Sequence, residues 1–150
     1  MKTLMMSLML SLAMLAVPAH ADRGEKKQVF GDYEIHYIGL NSSFLTPDVA
    51  EAYGIPRSRS LGFLNISILK KTDQEGVMAS LTGSVKGTMK NLIGQKKELE
   101  FREVVERDAV YYISTFRFDQ ADVYKIELAV QPNGETRTFD VKFDQRFYED

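Results

Sequence analysis

The 150-residue sequence contains no cysteine and no tryptophan, and only four prolines and two histidines. The absence of cysteine excludes a thiolate nucleophile, a Cys-ligated zinc, an iron–sulfur cluster, a disulfide and a lipid-modified cysteine. The absence of tryptophan removes the largest aromatic platform, leaving tyrosine as the amphipathic substitute. Charge of one sign is also missing. Nineteen basic residues face 21 acidic ones, for a formal net charge of −2, which gives no electrostatic reason to bind nucleic acid. The longest mostly apolar run, Leu4 to Val17, is shorter than the roughly 20 residues that span a bilayer as a helix.

That apolar run has a different meaning. Lys2 supplies a positive start, Pro18 ends the run, and Ala19-His20-Ala21 fits the small-x-small rule for signal peptidase. Residues 1–21 therefore read as a cleavable export signal and residues 22–150 as one mature domain in the periplasm. Cleavage removes His20, five of the seven methionines and Lys2, taking the formal net charge from −2 to −3. All seven Tyr and nine Phe remain and must supply the core in place of disulfides.

After a polar start over Asp22 to Gln28, read as a frayed end, the dominant period is two, which is the period of a half-buried strand. Tyr33, Ile35 and Tyr37 alternate with Glu34 and His36, and Leu64, Ile66 and Ile68 with Asn65 and Ser67. The same rhythm gives seven strands, near 29–39, 61–71, 77–86, 97–106, 109–118, 122–131 and 136–145. The continuous start of Val110 to Phe116 predicts a strand covered on both faces. Asn133-Gly134 reads as a hairpin turn that tolerates positive φ. The fold class is all-β, an immunoglobulin-like antiparallel β-sandwich of about seven strands with one short helix; a small closed barrel is the alternative.

Two segments break the rhythm. In Thr46 to Gly54 a short helix is predicted: Thr46 caps it, Pro47 suits its first position, Asp48 complements its dipole and Gly54 ends it. Lys86 to Lys96 reads as a loop with two glycines. Both segments are expected to cross between the two sheets.

The candidate chemistry is sparse. His36 is the one histidine left after processing, and no nucleophile elbow or glycine-rich oxyanion loop accompanies it. No His pair, Cys cluster or EF-hand spacing suggests a metal, and no cofactor is expected. The carboxylates at Glu98, Glu100, Glu103 and Glu106 read as a charged strand face mixed with Arg102 and Arg107. The donor-rich irregular segments are more distinctive. Asn41, Ser42, Tyr53, Arg57, Ser58, Asn91 and Gln95 form the candidate binding surface, with Arg59, Lys90 and Lys96 adding positive charge.

These stretches also carry a resemblance. Phe30-Gly31-Asp32-Tyr33-Glu34 with His36-Tyr37, Asn41-Ser42 with Phe44-Leu45, and Tyr53-Gly54-Ile55 with Arg57-Ser58 are similar to a family of exported bacterial proteins catalogued as domain of unknown function 4426. So are Asn91-Leu92 with Gly94-Gln95, Tyr111-Tyr112-Ile113, and Gln145 with Phe147-Tyr148. The resemblance implies a signal peptide and a compact β-rich domain, and implies no activity. The sequence thus points to a periplasmic, non-enzymatic binding or accessory module whose partner is another envelope protein or a small anionic ligand. The alternative is a hydrolase acting on an envelope polymer through His36 or a carboxylate pair.

Overall fold

The computed structural model describes residues 25–149, so the export segment read from residues 1–21 lies outside the described residues. Two antiparallel sheets pack face to face with the core between them, which is a β-sandwich and not a closed barrel. The larger sheet has the order β1 (Lys26–Phe30), β2 (Tyr33–Asn41), β3 (Leu61–Lys71), β8 (Ala109–Arg117), β7 (Arg102–Glu106). A short β4 (Met78–Leu81) pairs with the far half of β3. The smaller sheet runs β10 (Phe139–Arg146), β9 (Val123–Pro132), β5 (Gly83–Lys90), β6 (Lys96–Leu99).

The described strands number ten, not seven, because three of the expected strands are each two. Gly31-Asp32 folds the first into a β1–β2 hairpin, with Gly31 at φ 62 and Phe30 opposite Tyr33. The run 77–86 leaves the larger sheet at Thr82 and enters the smaller one as β5. The run 97–106 returns from β6 to β7 across residues 100–101. At the first crossing the chain is tight. A Cβ on Gly83 would lie 2.5 Å from the Gln131 carbonyl oxygen and 2.9 Å from Ile68, so a larger residue cannot pass there. The Tyr112 hydroxyl secures the crossing, accepting from Gly83 N–H at 2.8 Å and donating to Glu103 at 2.8 Å. Burial raises the Tyr112 phenol above its ordinary value.

The expected crossovers are therefore corrected. Residues 86–96 form the β5–β6 hairpin within one sheet, and residues 42–60 join β2 to its neighbour β3. The expected frayed start is corrected as well, since Lys26 already opens β1.

Between the sheets, Ile35, Leu64, Ile66, Ile68, Ile126, Val130 and Val141 are fully buried. Each aliphatic side chain so buried contributes roughly 1.5–3 kcal/mol. Aromatics fill the wider spaces: Phe147 packs against Phe116, Phe118 and Tyr124, and Phe139 stacks on Phe30.

The segment after β2 makes a 3-10 turn (Ser42–Phe44) and then α1 (Pro47–Tyr53). The expected helix signals act as read. Thr46 Oγ1 accepts from Val49 N–H at 3.4 Å, Pro47 opens the helix, and Gly54 closes it at φ 64. This segment lies on the outer face of the larger sheet. Ile55, Phe63 and Ile113 form a second small core there, with Leu40, Leu45, Tyr53, Val104 and Tyr111 around it. It covers only the half of that face nearest the β2 C-terminus.

Candidate functional site

The uncovered half of that face is a groove of about 750 Å³. Its floor is built by strand alternation. His36 and Ile38 project from β2, Asn65, Ser67 and Leu69 from β3, and Tyr111 from β8, because their neighbours in sequence point into the sandwich. Register places His36 opposite Ser67 and Ile38 opposite Asn65. Met78 and Ser80 of β4 close one side, and the Glu106-Arg107-Asp108 turn closes another. Arg107 takes φ 54, an unusual conformation for a residue with a Cβ.

Two features of the floor are chemically notable. Asn65 Oδ1 is buried with no hydrogen-bond partner, a state native proteins rarely tolerate without a reason. His36 is held between two carboxylates, with Nδ1 2.6 Å from Glu25 Oε1 and Nε2 2.7 Å from Glu34 Oε2. The His36 hydrogen bond, aided by Lys27, holds the Glu34 carboxyl below its ordinary value against the opposing effect of desolvation. In a hydrolytic relay one ring nitrogen must face a nucleophile or substrate. Here both face carboxylates, and among the described residues no hydroxyl hydrogen-bonds the ring.

The residues predicted from sequence occupy three places. Asn41 and Ser42 are buried at the end of β2. Asn41 Nδ2 donates to the carbonyls of Arg59 at 2.7 Å and Tyr148 at 2.8 Å, and its Oδ1 accepts from Ser43 N–H at 3.2 Å. Ser42 Oγ donates to the Ser58 carbonyl and accepts from Ser58 N–H, and Arg57 donates to the Ser43 carbonyl. Asn41, Ser42, Arg57 and Ser58 are thus brought together, with their polar atoms directed largely at backbone. Tyr53 stands apart on α1, donating to Glu106 of β7 at 2.5 Å, while Arg102 donates to its carbonyl. Asn91 and Gln95 bond to each other at the β5–β6 turn.

That turn and the Arg57 segment share one end of the sandwich. β3 starts beside the end of β8 there, with Leu61 opposite Arg117, and Lys97 beyond the turn donates to the Arg117 carbonyl at 2.9 Å. Of the groove residues, His36, Glu106 and Arg107 stand out in the sequence, and the rest do not for a physical reason. Asn65 and Ser67 were legible as outward-facing, but nothing local says which outward positions remain uncovered.

The molecule is thus an antiparallel β-sandwich with one outer face half covered and half open. The chain belongs to the DUF4426 family, a domain of unknown function, whose model matches residues 27–150. The crystal structure of a DUF4426 family protein from Pseudomonas aeruginosa PAO1 is 33% identical and superposes with a TM-score of 0.73, over 86% of this chain and 98% of its own. FetP of uropathogenic Escherichia coli strain F11, recombinantly expressed in the periplasm, is 15% identical with a TM-score of 0.60, over 84% and 95% of the two chains. A copper-bound variant of FetP is 16% identical with a TM-score of 0.58, over 84% and 96%. At 15–16% identity the likeness to FetP is one of fold. No curated protein sequence matches the chain. Among the described residues no helix is long and apolar enough to cross a membrane.

Proposed function

We propose that the protein is an exported, non-enzymatic binding or accessory module of the periplasm, with residues 1–21 its cleavable signal and residues 22–150 its single domain. Its partner is another envelope protein, which lays a polar segment into the open groove. The observation that carries this reading is the open groove itself, about 750 Å³ and floored by the polar side chains of His36, Asn65 and Ser67. The rim favours the same partner. Glu25, Glu106 and Asp108 outnumber the single fixed cation Arg107, so a donor-bearing or basic segment suits the groove better than an anion does. FetP in its copper-bound variant raises the question of copper, and the donor set here does not fit it. His36 is the one histidine among the described residues and both its nitrogens are engaged, Met89 is buried in the core, and Met78 alone brings a sulfur to the groove. Among the described residues no three His, Cys, Asp or Glu groups converge on one point.

The seven residues chosen from sequence remain part of the proposal only as far as their side chains reach solvent, which favours Arg57 over Asn41 and Ser42. Affinity capture from envelope extract distinguishes the two surfaces. A specific partner held by the wild type should be lost with Asn65→Leu and retained by the Arg57→Glu, Asn91→Ala double variant. Loss with the double variant alone would move the site to the end of the sandwich.

A further inference from the structure

Apart from the groove, the least explained surface is the tip of the β5–β6 hairpin. Leu92 and Ile93 are 71% and 81% exposed there, side by side. The tip is not a loose loop. Asn91 N–H donates to the Gln95 carbonyl, Gly94 N–H to the Asn91 carbonyl, and the Asn91 and Gln95 side chains bond at 2.8 Å. Gly94 takes φ 88, which the closed turn requires. A rigid turn thus displays two aliphatic side chains that could have been polar without loss to the fold.

Directly behind the tip, on the outer face of the smaller sheet, three lysines stand in one row. Register pairs Lys90 with Lys96 on one side and with Lys125 on the other, and all three are exposed. Like charges directly opposite each other destabilise a sheet. Among the described residues none of the three forms an ion pair. The acids nearby are Asp144, opposite Lys125, and Glu98 and Glu127, one step further from the tip. Arg146, two residues beyond Asp144 on β10, extends the cationic side toward the same end. Beside the tip, four cations (Lys90, Lys96, Lys125 and Arg146) thus stand with Asp144, and Glu127 and Glu98 follow on the next outward rung.

We propose that this hairpin is a peripheral docking element for an anionic lipid bilayer, with Leu92 and Ile93 entering the interface and Lys90, Lys96 and Lys125 lying against lipid phosphates. An apolar point backed by a cationic row matches the depth profile of such a surface, apolar below and anionic above. A protein partner would instead need a pocket shaped to two adjacent aliphatic side chains and a complementary acidic wall. The interaction goes beyond the groove and is independent of it. It would hold the module at a membrane surface while the groove faces sideways along it.

The absence of tryptophan makes the test direct. Ile93→Trp places a single indole at the tip, and Glu75→Trp places one in the β3–β4 turn at the opposite end of the domain. Fluorescence is followed on adding vesicles of phosphatidylethanolamine with phosphatidylglycerol, or of phosphatidylcholine alone. The expected result is a blue shift for Ile93→Trp with the anionic vesicles only, and none for Glu75→Trp. Adding Lys90→Ala, Lys96→Ala and Lys125→Ala should weaken partitioning about 100-fold, since each lysine near an anionic surface is worth roughly a factor of five. Circular dichroism verifies that each variant is folded. No shift at the tip, an equal shift at both positions, or a shift indifferent to the lysines would overturn the proposal.

Discussion

Replacing Asn41 with alanine removes three hydrogen bonds from one buried point. The side chain joins the end of β2 to the Arg59 carbonyl, 18 residues on, and to the Tyr148 carbonyl, 107 residues on, while holding Ser43 N–H. Asn41 is 3% exposed, so water reaches its position poorly. A hydrogen bond contributes about 1 kcal/mol net, and a buried group left unpaired costs about 1–3 kcal/mol. Part of that cost is relieved where the freed carbonyls can meet solvent, and the total comes to about 3–4 kcal/mol. For a domain of this size that corresponds to a melting temperature lower by roughly 10–15 °C. Urea unfolding should show a lower midpoint at unchanged slope, because the surface exposed on unfolding is the same. Asn41→Asp keeps the acceptor for Ser43 but sets a carboxylate against two carbonyl oxygens, and should be no better than alanine. If Asn41→Ala melts within about 2 °C of wild type, a shift well under 1 kcal/mol, the side chain is not a structural tie and its role in binding must be reopened.

Other perturbations probe separate links. Tyr112→Phe keeps the buried ring but frees Gly83 N–H and Glu103 at the sheet crossing, and should cost about 1–2 kcal/mol in calorimetry. Tyr112→Ala should cost about 3–5 kcal/mol, and an insensitive melting temperature would contradict the core assignment. Gly134→Val forces a β-branched residue to φ 80 and should destabilise by about 1–3 kcal/mol, whereas Gly134→Asn should be much milder. The Tyr53 hydroxyl is pushed from its ordinary 10.0 up to about 12, chiefly by its hydrogen bond to Glu106 and then by burial. The raised value means that stability from this contact is fully present below pH 10 and is lost as pH rises through about 12. Tyrosinate absorbance should therefore lose one late-titrating phenol in Tyr53→Phe, and an unchanged titration curve would exclude the contact.

The helix around Pro47–Tyr53 was legible residue by residue, because capping and termination are local: Thr46, Pro47, Asp48 and Gly54 each act within one turn of themselves. The alternating faces of β2, β3, β9 and β10 were equally legible. The sheet crossings at Thr82 and at residues 100–101 were not, for a physical reason. Both sheets face the same core, so a chain passing from one to the other keeps its inward–outward rhythm and periodicity reports one strand. The donors of Asn41 and Ser42 were legible only as donors. Sequence identifies a donor, but not that its acceptor is a backbone carbonyl of Tyr148 or Ser58 brought near by folding. The groove is the least legible feature, because it exists only where α1 stops short of covering His36, Ser67 and Asn65.

Whether a partner occupies this uncovered half-face can be read by photo-cross-linking in living cells. A photoreactive residue at Ser67, on the groove floor, is compared with one at Lys142, exposed on the outer face of the opposite sheet. One discrete adduct with an envelope protein is expected from position 67, lost when Asn65→Leu is added, and none from position 142. No adduct from position 67, or the same adducts from both positions, would contradict it.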